Sequence, residues 1–283
     1  MDIDSDGVRI HVEVTGEGSP VLLLHGFPDS GALWRHQVPA LADAGFRCIV
    51  PDLRGFGDSG VPGSVDEYSM LYSVGDAIAV LDHLGVERAH VVGHDFGAAL
   101  AWAFAAFVPE RVDHVVALSV GQAESFRSVG MEQLALSWYV LFFQFPGVAE
   151  RWLSADGWAN FRAWSHHPDA DAVVARWEAT GTLTAALNWY RANITPEGWV
   201  APPLDLPKVR APTMGVWSSG DFALTEQQMS GSGAYVSGPW RYERLAGPGH
   251  WMQLEAPEEV NRLLLDFLPA VAPPCGPTVP GDR

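Results

Sequence analysis

The sequence predicts a doubly wound α/β fold, a mostly parallel sheet with helices on both faces and an all-helical segment inserted into it. Three observations carry this. Apolar runs rich in β-branched residues recur without alternation, helical patterns lie between them, and one long aromatic-rich stretch contains no β-type run. The length of 283 residues suits a single large α/β domain with an insertion.

Taken in order, residues 8–14 (V-R-I-H-V-E-V) alternate with period 2 and predict an edge-like strand with one wet face. The continuous runs at 20–25 (P-V-L-L-L-H), 46–50 (F-R-C-I-V), 89–93 (A-H-V-V-G) and 114–118 (H-V-V-A-L) predict strands buried on both faces. Helical patterns fall at 69–84 and 97–107. From about 121 to 205 the rhythm is helical, and seven of the 12 tryptophans sit there: Trp138, Trp152, Trp158, Trp164, Trp177, Trp189 and Trp199. The linker A-P-P-L-D-L-P at 201–207 marks the end of that stretch. Strands resume at 212–219 and 240–245, and a helix near 257–268 closes the pattern. The expected organisation is a core of 1–120 and 206–270, a helical lid at 121–205, and a loose Pro-bearing tail at 271–283.

Composition narrows the function classes. The chain is 48% hydrophobic and carries a net charge of −17, from 34 acidic and 17 basic residues. That balance repels phosphate backbones and anionic bilayers, which argues against nucleic-acid and membrane partners. The two cysteines, Cys48 and Cys275, do not make a disulfide framework, so a reducing cytoplasm is expected. The opening MDIDSDGVRI lacks a signal-peptide pattern. No apolar run approaches the ~20 residues of a membrane span.

The chemistry centres on G-H-D-F-G at 93–97, which follows a buried strand and opens a helix. This is the setting of a nucleophile elbow, a tight strand–turn–helix that lifts one side chain into a site. Gly93 and Gly97 leave room for the crowded backbones. Where a serine is usual, the residue is Asp95, and a helix cap is its plain alternative. A carboxylate attacking an ester would give an anhydride. Attacking a saturated carbon with a leaving group, it gives an ordinary alkyl ester. With a usual pKa of ~3.9, Asp95 needs no base to attack. A base is needed only to activate the water that hydrolyses the ester. His250, in the Gly-rich loop G-P-G-H-W after the last strand, is that candidate. Asp221, in S-S-G-D-F after the strand at 212–219, is the candidate acid that orients it, with a turn residue as alternative. The order nucleophile, acid, histidine is that of the α/β-hydrolase triad. H-G-F-P at 25–28, otherwise a plain turn, places the Phe27 backbone N–H as one oxyanion donor, with the Phe96 N–H as the other. No His/Cys/Asp/Glu spacing suggests a metal site.

Seven segments together carry a resemblance: H-G-F-P-D-S, D-L-R-G-F-G-D-S (52–59), G-H-D-F-G, F-Q-F-P-G-V-A-E (143–150), L-N-W-Y-R (187–191), G-D-F-A-L (220–224) and G-H-W (249–251). From about residue 8 to 268 the chain resembles the soluble epoxide hydrolases of the α/β-hydrolase fold. The core segments are shared with dehalogenases, and the lid segments are the specific ones. The resemblance implies that two lid tyrosines hold and protonate the epoxide oxygen. They fall on Tyr139, five before Gln144, and on Tyr190 of L-N-W-Y-R, though lid tyrosines also pack. A phenol at about 10 is some 5–6 pKa units more acidic than water at about 15.7, which bounds its help to a leaving alkoxide at roughly 7–8 kcal/mol. Haloalkane dehalogenases usually carry tryptophan after the nucleophile and often an H-G-N-P asparagine, whereas Phe96 and Phe27 stand here. Fluoroacetate dehalogenases place arginines near the nucleophile, and residues 96–101 contain none. Epoxide hydrolases also often have tryptophan after the nucleophile, so Phe96 alters the pocket wall. Phe27, Phe96, Trp138 and Trp251 are expected to line the substrate site. His94 is expected to be structural, and His166 and His167 to pack or face solvent, with contact to substrate as their alternative.

The resulting expectation is an epoxide hydrolase without a cofactor. It takes a small apolar or aromatic epoxide and water to a vicinal diol through an ester on Asp95. The alternatives are a haloalkane or haloacid dehalogenase, and, from another class, a non-catalytic binding module on the same scaffold. Oligomeric state is open, a homodimer included.

Overall fold

The computed structural model describes residues 1–270. The expected loose tail at 271–283, with Cys275, lies outside the described residues. Eight strands form one sheet: β1 (Asp2–Ser5), β2 (Val8–Thr15), β3 (Ser19–Leu24), β4 (Phe46–Pro51), β5 (Ala89–His94), β6 (Val112–Leu118), β7 (Thr213–Ser218) and β8 (Trp240–Leu245). Their spatial order is β1-β2-β4-β3-β5-β6-β7-β8. β1 and β2 pair antiparallel with their neighbours, and every pairing from β4 onward is parallel.

The sheet corrects one expectation. β2 is not the edge, because β1 covers it through the register Ser5↔Val8. Asp6 and Gly7, both at positive φ, form the two-residue turn between them. The D-G pair before an alternating run is a hairpin signal in the sequence. The pattern of β2, buried on alternate residues, still fits a strand with one wet face.

Helices α1 (Gln37–Asp43), α2 (Met70–His83) and α3 (Phe96–Phe107) cross between the early strands. Seven more follow β6 before β7: α4 (Ala123–Ser128), α5 (Met131–Leu136), α6 (Trp138–Phe142), α7 (Val148–Ser165), α8 (Ala170–Thr180), α9 (Leu183–Asn193) and α10 (Pro196–Val200). After the strands resume come α11 (Glu226–Ser230), α12 (Met252–Glu255) and α13 (Pro257–Phe267). α7 is broken at Ala155–Trp158, where Asp156, Gly157 and Trp158 take positive φ. Cys48 is free and buried in β4. No helix among the described residues is long and apolar enough to cross a membrane.

Unbroken apolar strands make two cores. Val21, Leu23, Val92, Val116 and Val216 pack on one face with Trp34 and the α13 leucines. Leu22, Leu24, Val91, Val115 and Ala117 face the other side, in a core that continues into Phe143, Phe161, Trp177 and Trp189 of the helical insertion. Residues 25–27, 95 and 119 follow directly on β3, β5 and β6, residue 221 lies three residues beyond β7, and the loop holding residue 250 follows β8. The carboxyl ends of a parallel sheet therefore gather these positions, as in open α/β folds generally.

The D-L-R-G-F-G-D-S segment braces this end of the sheet. Arg54, 1% exposed, makes a bidentate pair with buried Asp76 of α2 at 2.7 and 2.6 Å. Its carbonyl accepts the Trp189 indole N–H at 2.9 Å, which ties α9 to the core. Asn193 adds bonds to the Met70 N–H and the Tyr68 carbonyl. Arg54→Met leaves Asp76 buried without its partner. Such a change costs about 3–5 kcal/mol, and we expect a fall of that size in denaturant titration. A loss under about 1 kcal/mol, the range of exposed pairs, would contradict this assignment.

Candidate active site

Asp95 joins β5 to α3 with φ 52° and ψ −122°, a conformation that L residues rarely take. Close backbone approach explains why it persists. A Cβ on Gly93 would run into the Gly97 carbonyl, one on Gly97 into the Leu24 carbonyl, and one on Gly26 into the Asp95 carboxylate. Three glycines thus let β3, β5 and α3 meet at one point. The side chain of Asp95 makes no capping bond to α3, whose Ala98 and Ala99 N–H groups bond its backbone carbonyl instead. The helix-cap alternative therefore does not describe this carboxylate.

Asp95 Oδ1 accepts the Phe27 backbone N–H at 2.8 Å. The Phe96 N–H, expected as a second donor, makes no hydrogen bond to that carboxylate among the described residues. Oδ2 lies 3.7 Å from His250 Nε2, beyond hydrogen-bond length. His25, fully buried, links the loops after β3 and β4: its Nδ1 donates to the Gly26 carbonyl and its Nε2 accepts the Leu53 N–H.

His250 Nδ1 meets Asp221 Oδ2 at 2.9 Å, leaving Nε2 toward Asp95. Asp221 is both the turn residue and the partner of the histidine, since its other oxygen accepts the Ala223 and Leu224 N–H groups at 2.9 and 3.1 Å. Burial opposes charge on His250, but the Asp221 carboxylate, with Asp95 behind it, outweighs burial and lifts its pKa to about 10. His94 is structural, as expected. Its Nε2 donates to the His250 carbonyl at 3.0 Å, and burial, then the neighbouring His250 charge, lowers its pKa to about 4.

Tyr139 of α6 and Tyr190 of α9 come together, with ring centroids 5.9 Å apart. Tyr190 sits edge-on to Phe96 at 4.8 Å and to Phe27 at 5.3 Å. Both tyrosines are nearly fully buried, and neither phenol oxygen has a hydrogen-bond partner among the described residues. Burial raises both phenol pKa values, and the Asp95 charge raises them further. The acidity advantage over an alkoxide is accordingly smaller than free tyrosine suggests. The two helices are tied together, because the Gln144 amide donates to the Tyr190 and Ile194 carbonyls and Arg191 Nε donates to the Phe143 carbonyl.

Two expected wall residues fall elsewhere. Trp138 is 45% exposed and rests against Phe142 and Trp152, because its neighbour Tyr139 takes the inward face of α6. Trp251 lies behind His250, with centroids 4.8 Å apart, and its indole N–H donates to Asp29 Oδ2 at 2.9 Å. Phe143, Trp164 and Phe222 stand near the phenols or the histidine instead. His167 is a packing residue as expected, and sequence reasoning missed its partner. Its Nε2 meets Asp29 Oδ1 at 3.0 Å and its Nδ1 accepts the Asp169 N–H. Asp29 was visible only as a letter in H-G-F-P-D-S. Its joining of core, insertion and histidine loop needs three distant segments at once.

The family described as the alpha/beta hydrolase fold matches residues 19–257. Epoxide hydrolase A of Mycobacterium tuberculosis is 33% identical, covering 94% of this chain and 96% of that protein. An epoxide hydrolase of Caballeronia sordidicola is 33% identical over 95% of this chain and 93% of its own length. The crystal structure of epoxide hydrolase A from Mycobacterium thermoresistibile superposes with a TM-score of 0.79 at 31% identity, covering 95% of this chain and 97% of that one. With such identity along nearly its whole length, on top of the shared fold, the chain belongs to the epoxide hydrolases of the α/β-hydrolase fold family.

Proposed function

We propose that this protein hydrolyses an epoxide to a vicinal diol through a covalent ester on Asp95. One observation supports it above the rest. Two buried tyrosines, with ring centroids 5.9 Å apart and no hydrogen bond to either phenol oxygen among the described residues, share the field of the Asp95 carboxylate. Each phenol hydroxyl is a donor that an incoming acceptor can take up. An epoxide oxygen is such an acceptor.

In the first step Oδ2 attacks an epoxide carbon. The C–O bond breaks toward the ring oxygen, and a proton passes to it from Tyr139 or Tyr190. Oδ1 becomes the ester carbonyl and already receives the Phe27 N–H. The Phe96 N–H is the proposed second donor as negative charge grows on that oxygen. In the second step His250, oriented by Asp221, takes a proton from water, which attacks the ester carbonyl carbon; the bond to the substrate oxygen breaks, that oxygen takes a proton back from the imidazolium to complete the diol, and Asp95 is freed.

The charges make the steps consecutive. While Asp95 is ionised, His250 holds its proton, because two carboxylates flank it. Esterification removes one of them. The imidazole then releases its proton toward the phenolate and becomes a base when a base is needed. The same loss of charge makes the phenols better acids as the bond forms. The helical insertion is the proposed lid, and Phe27, Phe96, Phe143 and Trp164 suit a small apolar or aromatic epoxide. With Cys48 a buried free thiol, a reducing cytoplasm is the proposed compartment.

The covalent route is tested by a single turnover in oxygen-18 water. Label should enter the Asp95 carboxylate and be absent from the first diol; label in that diol would rule the ester out. Halide release from haloalkanes without any diol from epoxides would move the reading to a dehalogenase. The electrostatic order is tested by NMR titration of His250. Its midpoint should lie near 10 in the wild type and drop clearly in Asp95→Asn, and equal midpoints would refute it. Tyr190→Phe should slow ester formation by about 10²–10³-fold, the usual effect of removing one donor to a developing oxyanion. Rapid-quench alkylation rates within twofold of wild type would exclude Tyr190 as a donor.

A further inference from the structure

Ser119 follows β6 in a conformation its side chain does not favour. Its φ is +67°, in the left-handed region, and it is fully buried. The Val120 N–H bonds the Leu118 carbonyl at 2.9 Å, so Ser119 is the centre of a three-residue γ-turn of the rarer, strained kind. Neighbours hold it there. Its own N–H donates to the Val216 carbonyl at 2.9 Å, and its carbonyl accepts the Gln228 amide at 2.8 Å. Glycine would make this turn without strain. A serine here must gain something through its hydroxyl.

What it gains is on the histidine loop, 131 residues away. Ser119 Oγ donates to the His250 carbonyl at 3.0 Å, and His94 Nε2 donates to the same oxygen at 3.0 Å. Both acceptor positions of that carbonyl are therefore filled. Ser218 Oγ donates to the preceding carbonyl, Gly249, at 2.6 Å. Three strand ends thus hold two consecutive carbonyls of the loop that carries the imidazole. That ring must sit between Asp221 at 2.9 Å and Asp95 at 3.7 Å, so a shift of its backbone disturbs both distances.

We propose that Ser119 is a positioning residue for hydrolysis of the alkyl-enzyme ester, acting through the backbone carbonyl of His250. The inference rests on the two-step reading above and divides its steps unequally. Ester formation uses Asp95 and the phenols, which Ser119 does not touch. Ester hydrolysis uses the imidazole, which it fixes.

The test compares wild type, Ser119→Gly and Ser119→Ala by rapid-quench measurement of both steps on one epoxide. Glycine removes the hydroxyl and the strain together, so this variant should be no less heat-stable than wild type. Alanine removes the hydroxyl alone. In both, ester formation should stay within twofold. Hydrolysis should slow by about tenfold, within the loss that misplacement by up to an ångström produces. Intermediate then accumulates on the Asp95 peptide, and kcat and KM fall together. Hydrolysis within twofold of wild type in both variants would overturn the proposal, as would an equal fall in both steps. A wild type that forms diol without any ester removes the parent reading and this one with it. A wild type that does form the ester, with unaffected variants, removes only the role of Ser119.

Discussion

The close packing of backbone at the β5–α3 junction is the constraint on which the rest of the structure depends. Gly26, Gly93 and Gly97 let three segments touch where any side chain would separate them. That contact holds Asp95 in its unfavourable conformation and brings the Phe27 N–H onto its carboxylate. The strain is sustained by the surrounding parallel sheet, whose central strands are buried on both faces. The insertion, the histidine loop and the D-L-R-G segment are then arranged around one fixed carboxylate.

Charge organises what packing holds. His250 stands between Asp221 and Asp95, and against the opposing effect of burial the two carboxylates raise its pKa. Asp221 is the larger of the two carboxylate influences on the imidazole, and Asp95 adds to it. In the proposed chemistry, forming the intermediate neutralises Asp95 and removes its share, which eases release of the imidazole proton. His94 does not compete for that proton, since burial keeps it uncharged near neutral pH.

Much of this was legible in the sequence, and the reason differs by residue. Asp95, Asp221 and His250 follow strands, and strand-then-turn context is a local pattern. Tyr190 was found through its motif, and Tyr139 by its spacing from Gln144. Trp138 and Trp251 were misplaced because neither a helix face nor the far side of a loop can be read without knowing what packs there. β1 was overlooked because a four-residue polar strand has no hydrophobic signature, although the D-G turn announced it. Asp29 and Ser119 were beyond reach for a different reason. Their partners lie 138 and 222 residues away for Asp29 and 131 for Ser119, and no local motif marks such contacts.

The bridge between the two tyrosine helices bears on regiochemistry. Gln144 and Arg191 fasten α6 to α9, and Trp189 fastens α9 to the core. The two phenols therefore present one stationary locus for an oxygen, with little freedom to follow a substrate. On the proposed reading, an epoxide held there would pivot about its oxygen, and either ring carbon could swing toward Asp95. On that reading, the fit of its substituents against the aromatic walls would decide which carbon arrives. Redesign of product outcome in this protein belongs with Phe96, Phe143 and Trp164, and the tyrosines are best left untouched.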